Sequence, residues 1–410
     1  MKKPLEHVRV LDLTQYLAGS YCTMLLAGLG AEVIKTERPE TGEPARSNPP
    51  YAGPQGVNIA RQTPDDMSLS ILKRCRNKKS ISLNLNSPAG KELFFELVKK
   101  VDVVIENFKP GTMEKLGLGY ENMAKKNPAV IYCSLTGFGQ IAAYQDLPAF
   151  DIVIQALSGA MSINGHPDGP PTKIGIAISD QAGGLFSAIG ILSALEYRRE
   201  TGQGQLVTVS MLESVLSLMM DEAPDFWLTQ GMPTRSGSRL TRLTPFNIYK
   251  ASDGYFVIAS GANAHWEKIL KAIDREDLIG DKRYIDISDR VNRADEVDAI
   301  INEWSNNVTV KEAIETISKY RIPCGPVREI PEVYSDEHLL KEGAIVGINH
   351  PTCGKIPALK AAGNPIRFSS ADVNFDKPAP TIGQNNEEIY QGLLGLSPEK
   401  IEELTNNKVI

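Results

Sequence analysis

The chain is poor in the residues that most often announce chemistry. Among 410 residues there are only five cysteines and five histidines. Cys22, Cys75, Cys133, Cys324 and Cys353 are odd in number, widely scattered and form no CxxC pair. That pattern argues against a disulfide framework and a structural zinc site, and it suits a reducing compartment. His7, His166, His265, His338 and His350 show no ligand spacing with one another, so no metal site is expected. A GxSxG elbow is missing, which removes the usual signature of a serine-hydrolase triad. Positive charge is not in excess: the net charge of -6 gives no support for non-specific nucleic-acid binding. No uninterrupted apolar run reaches the ~18 to 20 residues of a membrane span, and no apolar signal core precedes the first strand-like segment. The expectation is a cytoplasmic protein with neither a nucleic-acid nor a membrane partner.

What is present is an ordinary globular composition, 42% hydrophobic and 23% charged, in a chain long enough for two or three domains. Strand and helix patterns alternate through the first half. Val8 to Leu13, Glu32 to Lys35, Ser80 to Asn84, Val101 to Glu106 and Val130 to Leu135 read as buried strands. Ala18 to Gly28 reads as a helix, and Pro88 to Lys100 as another with Ser87 as its N-cap. This βαβ alternation predicts an α/β fold with a parallel sheet covered by helices. A strand from Gly204 to Ser210 and a helix from Met211 to about Thr229 follow. The stretch Gly231 to Pro245 has no clear period and reads as a linker or an active-site loop. Phe246 to Lys250 and Tyr255 to Ser260 then predict a hairpin that opens a smaller domain. A final helix is expected from Pro398 to about Asn406.

Asp180 is the most informative single residue. It closes the apolar run Ile174 to Ser179 and opens a long helical pattern, so it reads as a carboxylate at a strand-to-helix junction. It can serve as an N-cap, ionised at the positive end of the helix, or as a nucleophile. Gly183 and Gly184 favour the second use, since glycines admit a substrate close to backbone N–H groups that could face an oxyanion. A dinucleotide site is not expected, because the first turn, Thr14 to Ser20, has one glycine instead of GxGxxG. The densest basic run, Lys73 to Lys79, is either a solvated face or a site for anionic groups.

Read together, several segments resemble the class III coenzyme A transferases, the family of formyl-CoA transferase and carnitine CoA-transferase. They include Val8 to Leu13 with Ala18-Gly19, Leu29 to Lys35 with Glu37-Arg38, and Asn77 to Asn84. Val104 to Gly111, Leu135 to Gly139, Ser179-Asp180, Thr201 to Gly204 and Ile322 to Pro326 follow in order. The resemblance implies a Rossmann-like CoA-binding domain beginning at 1–205, a linker helix region at 206–235, a small domain at 236–332, and a segment 333–410 returning to the large domain. It also implies an interlocked homodimer, CoA and acyl-CoA as substrates in place of a permanently bound cofactor, and a small carboxylic acid as the second substrate.

On this resemblance Asp180 falls on the catalytic aspartate, which would carry the acyl group as an anhydride. Ala18, Arg38, Leu83, Asn107, Phe108 and Thr112 fall on CoA-lining positions, with Met113 and Lys115 nearby. Asn86 and Pro148 stand where formyl-CoA transferase carries lysine, and Lys115 where it carries arginine. Arg76 matches an arginine of a dicarboxylate-using relative, with Arg46, Arg239 and Arg242 as further candidates, and Gly237 lies in a loop that covers the site in relatives. The family also holds α-methylacyl-CoA racemases, the alternative function. They use a His-Asp pair where this chain has Phe150-Asp151, which favours transfer over proton exchange.

Overall fold

The structure, a computed structural model, describes residues 2–139, 141–144, 147–221, 228–229, 231 and 235–410. The chain divides into two compact units. The first comprises Met1–Ala160, Ile174–Glu222 and Asp336–Ile410; the second comprises Met161–Lys173 and Ala223–Ser335. The segment Met161–Lys173, assigned to the large domain from sequence, therefore groups with the second unit.

The first unit is built on six parallel strands: β1 (Arg9–Asp12), β2 (Glu32–Glu37), β3 (Lys78–Ser82), β4 (Val103–Glu106), β5 (Ile131–Thr136) and β6 (Leu206–Ser210). Their order, β3-β2-β1-β4-β5-β6, is that of a Rossmann-like sheet. The centres of β1, β2 and β4 are apolar on both faces, as a sheet covered on both sides requires, whereas β3 is mostly polar. Leu11, Ile34 and Val104 point into one layer; Val10, Val33 and Ile105 point into the other.

Helix α1 (Ala18–Gly28) covers the second of these faces; α2 (Leu69–Arg74) follows it in sequence. Across the sheet, α3 (Pro88–Val98) begins where the Ser87 hydroxyl accepts from the Gly90 N–H at 3.0 Å, and it packs Phe94 and Leu97 into the core. The C-terminal segment completes this layer. Tyr390, Leu404, Val409 and Ile410 are buried there, and the Asn84 N–H donates to the Val409 carbonyl at 2.8 Å.

Two short helices and one long one finish the frame: α4 (Asp151–Leu157), α5 (Ile178–Thr201) and α6 (Met211–Leu218). Helix α5 is long and apolar enough, by length and composition, to cross a membrane, yet it packs against α1 and the sheet. Two sequence expectations fail here. Ile174 to Ala177 forms no strand, because the chain bends into α5 instead of pairing with the sheet, and α6 ends at Leu218 well before Thr229. Residues 222–227 lie outside the described residues.

In the second unit, Phe246–Ala251 and Gly254–Ala259 pair as the expected hairpin, and Cys324–Pro326 adds a third strand. Trp266, Ile269, Val297, Ile301 and Ile317 close its core.

Candidate active site

A doubly wound sheet binds ligands outside the carboxyl ends of its strands, at the point where strand order reverses. Here that point lies between β1 and β4. The turn after β1 has no glycine-rich phosphate loop; buried charges shape it instead. The Asp12 carboxylate accepts from the Thr14 N–H and from the hydroxyls of Thr14 and Thr23 at 2.6–2.9 Å, and from the Lys78 ammonium at 3.0 Å. Burial opposes its ionisation, but Lys78, Lys35 and these hydroxyls outweigh it and hold its carboxyl at about 2. Above the turn, Asn107 clamps the backbone of Gln15 from both sides, accepting its N–H at 2.7 Å and donating to its carbonyl at 2.8 Å.

Next to this turn lies a cleft of about 430 Å³. It brings together Ala18, Arg38, Asn107, Phe108, Thr112, Phe150 and Asp180, residues far apart in sequence. The turn after β5 forms another wall. Gly137 and Phe138 line the cleft there, and their N–H groups have no partner among the described residues. Phe150 packs edge-on against Tyr16 at 5.8 Å between ring centres, and both line the cleft.

Asp180 lies in the first turn of α5 and does not cap it. The capping carboxylate is Asp151, at the start of α4, which accepts the Ser179 N–H at 2.9 Å from 28 residues away. Gln155 braces the same junction, donating to Asp151 at 2.7 Å and accepting the Ile174 N–H at 2.8 Å. This arrangement reverses the expected electrostatics of Asp180. Burial and then the like charge of Asp151 push its carboxyl up to about 6, while Arg74 pulls it the other way. Sequence reading passed over both neighbours as Asp180's partners; the one local signal was Asp151's place beside Phe150.

The glycines after Asp180 do not form an oxyanion site. Gln181 to Gly184 lie inside α5, and the Gln181 N–H donates to the Ala177 carbonyl at 3.1 Å. Gly184 is there because α1 passes close by: a Cβ would stand 2.7 Å from the Ala18 carbonyl oxygen. Gly183 is similarly closed in by Leu135 and Met211.

The remaining candidates separate by place. Leu83 lines a neighbouring cleft of about 500 Å³ that shares Gln15, Arg38, Phe108 and Thr112 with the first. Met113 is buried and borders a third cleft with Thr112. Lys115 is exposed and lines none of the three.

Arg76 does not line the cleft with Asp180. It is buried over the Phe375 ring at 4.3 Å and donates to the carbonyls of Lys73 and Ala362. Arg46 is bound in bidentate fashion to Glu37, at 2.6 Å on each arm. Arg239 and Gly237 belong to the second unit. There Arg239 pairs with Asp295 and Asp298, and Gly237 has a left-handed φ of 66° with no room for a Cβ beside His166.

A half-buried carboxylate lines an extended cleft at the carboxyl ends of a Rossmann-like sheet. The chain matches the model of CoA-transferase family III over residues 5–386. It is 37% identical to a succinyl-CoA–D-citramalate CoA-transferase of Chloroflexus aurantiacus, over 100% of this chain and 98% of that one. It is 36% identical to a succinyl-CoA:mesaconate CoA-transferase of Haloarcula marismortui, over 94% and 95% of the two chains. A solved CaiB/BaiF family protein from Brucella suis superposes with a TM-score of 0.80 at 32% identity, covering 96% of this chain and 100% of the other. The chain belongs to CoA-transferase family III and is a CoA-transferase.

Proposed function

We propose that this chain moves CoA from succinyl-CoA to a small carboxylic acid, with Asp180 as the nucleophile. The observation that carries the reading is Asp180 in one cleft with Ala18, Arg38, Asn107, Phe108 and Thr112, at the carboxyl ends of a Rossmann-like sheet. The donor follows from two relatives whose names specify succinyl-CoA.

In this reading the ionised carboxylate attacks the thioester carbonyl, the C–S bond breaks, and a succinyl-aspartyl anhydride and CoA thiolate result. A carboxylate is a weak nucleophile, but the thioester is activated and thiolate is a tolerable leaving group. The thiolate then attacks the aspartyl carbonyl of the anhydride and releases succinate. The acceptor carboxylate displaces CoA from that aspartyl thioester, and CoA finally attacks the acceptor's carbonyl, which restores Asp180. Each step exchanges one acyl bond for another, so no redox partner is needed. The unpaired N–H groups of Gly137 and Phe138 are assigned to the oxyanion.

Phe150 supports transfer over racemisation, since it supplies no base and the cleft lining among the described residues contains no histidine. Interlocked homodimers are proposed as the working form. An apolar stripe on α5 supports this, with Leu185, Ile189 and Tyr197 about half exposed. The five free cysteines fit a cytoplasmic enzyme.

A donor-by-acceptor screen read by mass spectrometry tests the reading. New CoA thioesters should form only when a carboxylic acid is supplied. Exchange of the α-proton with deuterated solvent, without any acceptor, would replace the transferase by the racemase.

A further inference from the structure

The cleft of about 500 Å³ next to the Asp180 cleft has a charge pattern that the proposed reaction does not use. Its walls include the apolar side chains of Leu83, Leu85, Leu116 and Phe108. Most of the charges around it are already matched: Glu37 is bound by Arg46, and Glu43 by Lys35 at 3.2 Å. The Arg38 side chain has no hydrogen bond or ion pair among the described residues, and Arg38 lines both clefts. The other cation is Lys408, from the C-terminal segment. Its partner is Glu40 at 2.8 Å, and both side chains are mostly in solvent, where such a pair contributes little.

The backbone places Lys408 firmly. Its N–H donates to the Thr405 carbonyl at 2.9 Å, and its φ is 54°, a left-handed conformation that lysine rarely adopts. The next residue, Val409, is buried and accepts the Asn84 N–H at 2.8 Å, which fixes the tail beside the Leu83 to Asn86 segment. Lys408 is therefore held at the rim of the cleft by a tail anchored in the core.

Coenzyme A carries its charges in a fixed order from the thiol: first the diphosphate, then the 3′-phosphate on the ribose beside the adenine. With the thioester at Asp180, as proposed above, Arg38, shared by the two clefts, meets the diphosphate. Lys408, which lines the second cleft and not the Asp180 cleft, meets the last group. We propose that Lys408 binds the ribose 3′-phosphate of CoA, exchanging the single charge of Glu40 for a dianion, and so makes the C-terminal segment part of the nucleotide site. A phosphate accepts charge-assisted hydrogen bonds from an ammonium and offers more charge than the carboxylate it displaces.

Calorimetric titration of the full-length protein with CoA and with 3′-dephospho-CoA tests this, alongside the succinyl-CoA transfer assay. The unaltered protein should bind CoA roughly five- to tenfold more tightly than 3′-dephospho-CoA. Lys408→Ala should abolish that preference by weakening CoA alone, Lys408→Arg should restore it, and Glu40→Gln should tighten CoA binding. A Lys408→Ala protein that keeps the preference overturns the assignment while leaving the transferase reading intact. Equal weakening of both ligands also overturns it, because the tail would then be acting on the fold. Failure of the unaltered protein to bind either ligand or to turn over succinyl-CoA would strike the transferase reading itself.

Discussion

Asp180 is set by two charges that its own sequence neighbourhood does not contain. Asp151 takes over the capping of α5 and adds a negative charge, and Arg74 offsets part of it. The rise to about 6 means that the carboxylate is largely protonated in mild acid and ionised above neutrality. For a nucleophile that must be ionised, kcat/KM should climb with pH through about 6 and then level off. Removing the like charge with Asp151→Asn should move that inflection down, and removing the opposing charge with Arg74→Gln should move it up. A profile flat from pH 5 to 8 in all three proteins would separate Asp180 from the rate. The sequence marked Asp180 itself, because a carboxylate opening a long helical pattern is a local feature. It could not show the cap, since that contact joins residues 28 apart through a turn with no period of its own.

At the scale of elements, locally capped helices were legible and those shaped by packing were not. Ser87 with Pro88 and Ser397 with Pro398 fix their helix starts by short-range hydrogen bonds, and both starts fall where the sequence places them. The start of α5 depends on α4, and the basic run from Lys73 to Lys79 is sorted by partners from elsewhere. Lys78 is buried against Asp12, Lys79 bridges Glu32 and Glu388, and Arg76 is stacked on Phe375. Neither a solvated face nor a single anion site describes that run.

The contact between α1 and α5 is tight enough to be tested by one methyl group. Gly184→Ala would set a Cβ 2.7 Å from a backbone oxygen of α1, so the helices must part. A loss of about 1–3 kcal/mol in denaturant unfolding is expected. No loss would mean that the two helices have slack that their spacing does not show.

For the whole molecule, the α/β class and the parallel sheet were readable from strand and helix periods, and the family from motifs in order. The grouping of Met161–Lys173 with the second unit was not, because it depends on contacts distant in sequence. The C-terminal segment illustrates the same physics: Leu404, Val409 and Ile410 look like an ordinary tail but finish the core under β1 to β4. Leu404→Ala should cost about 2–4 kcal/mol of stability, measured by urea unfolding, whereas a peripheral tail would lose almost nothing. If the subunits interlock as proposed, two differently tagged populations should fail to exchange subunits until they are unfolded together. Rapid mixing under native conditions would reduce the dimer to a simple face-to-face contact or none.

The proposed role of Asp180 as nucleophile is tested most directly by trapping its acyl form. The protein is incubated with succinyl-CoA and hydroxylamine, digested, and its peptides are mapped by mass. A hydroxamate at Asp180, absent when succinyl-CoA is omitted and absent in Asp180→Ala, is the predicted result. Full transfer activity in Asp180→Ala, or an acyl adduct on a different residue, would contradict it.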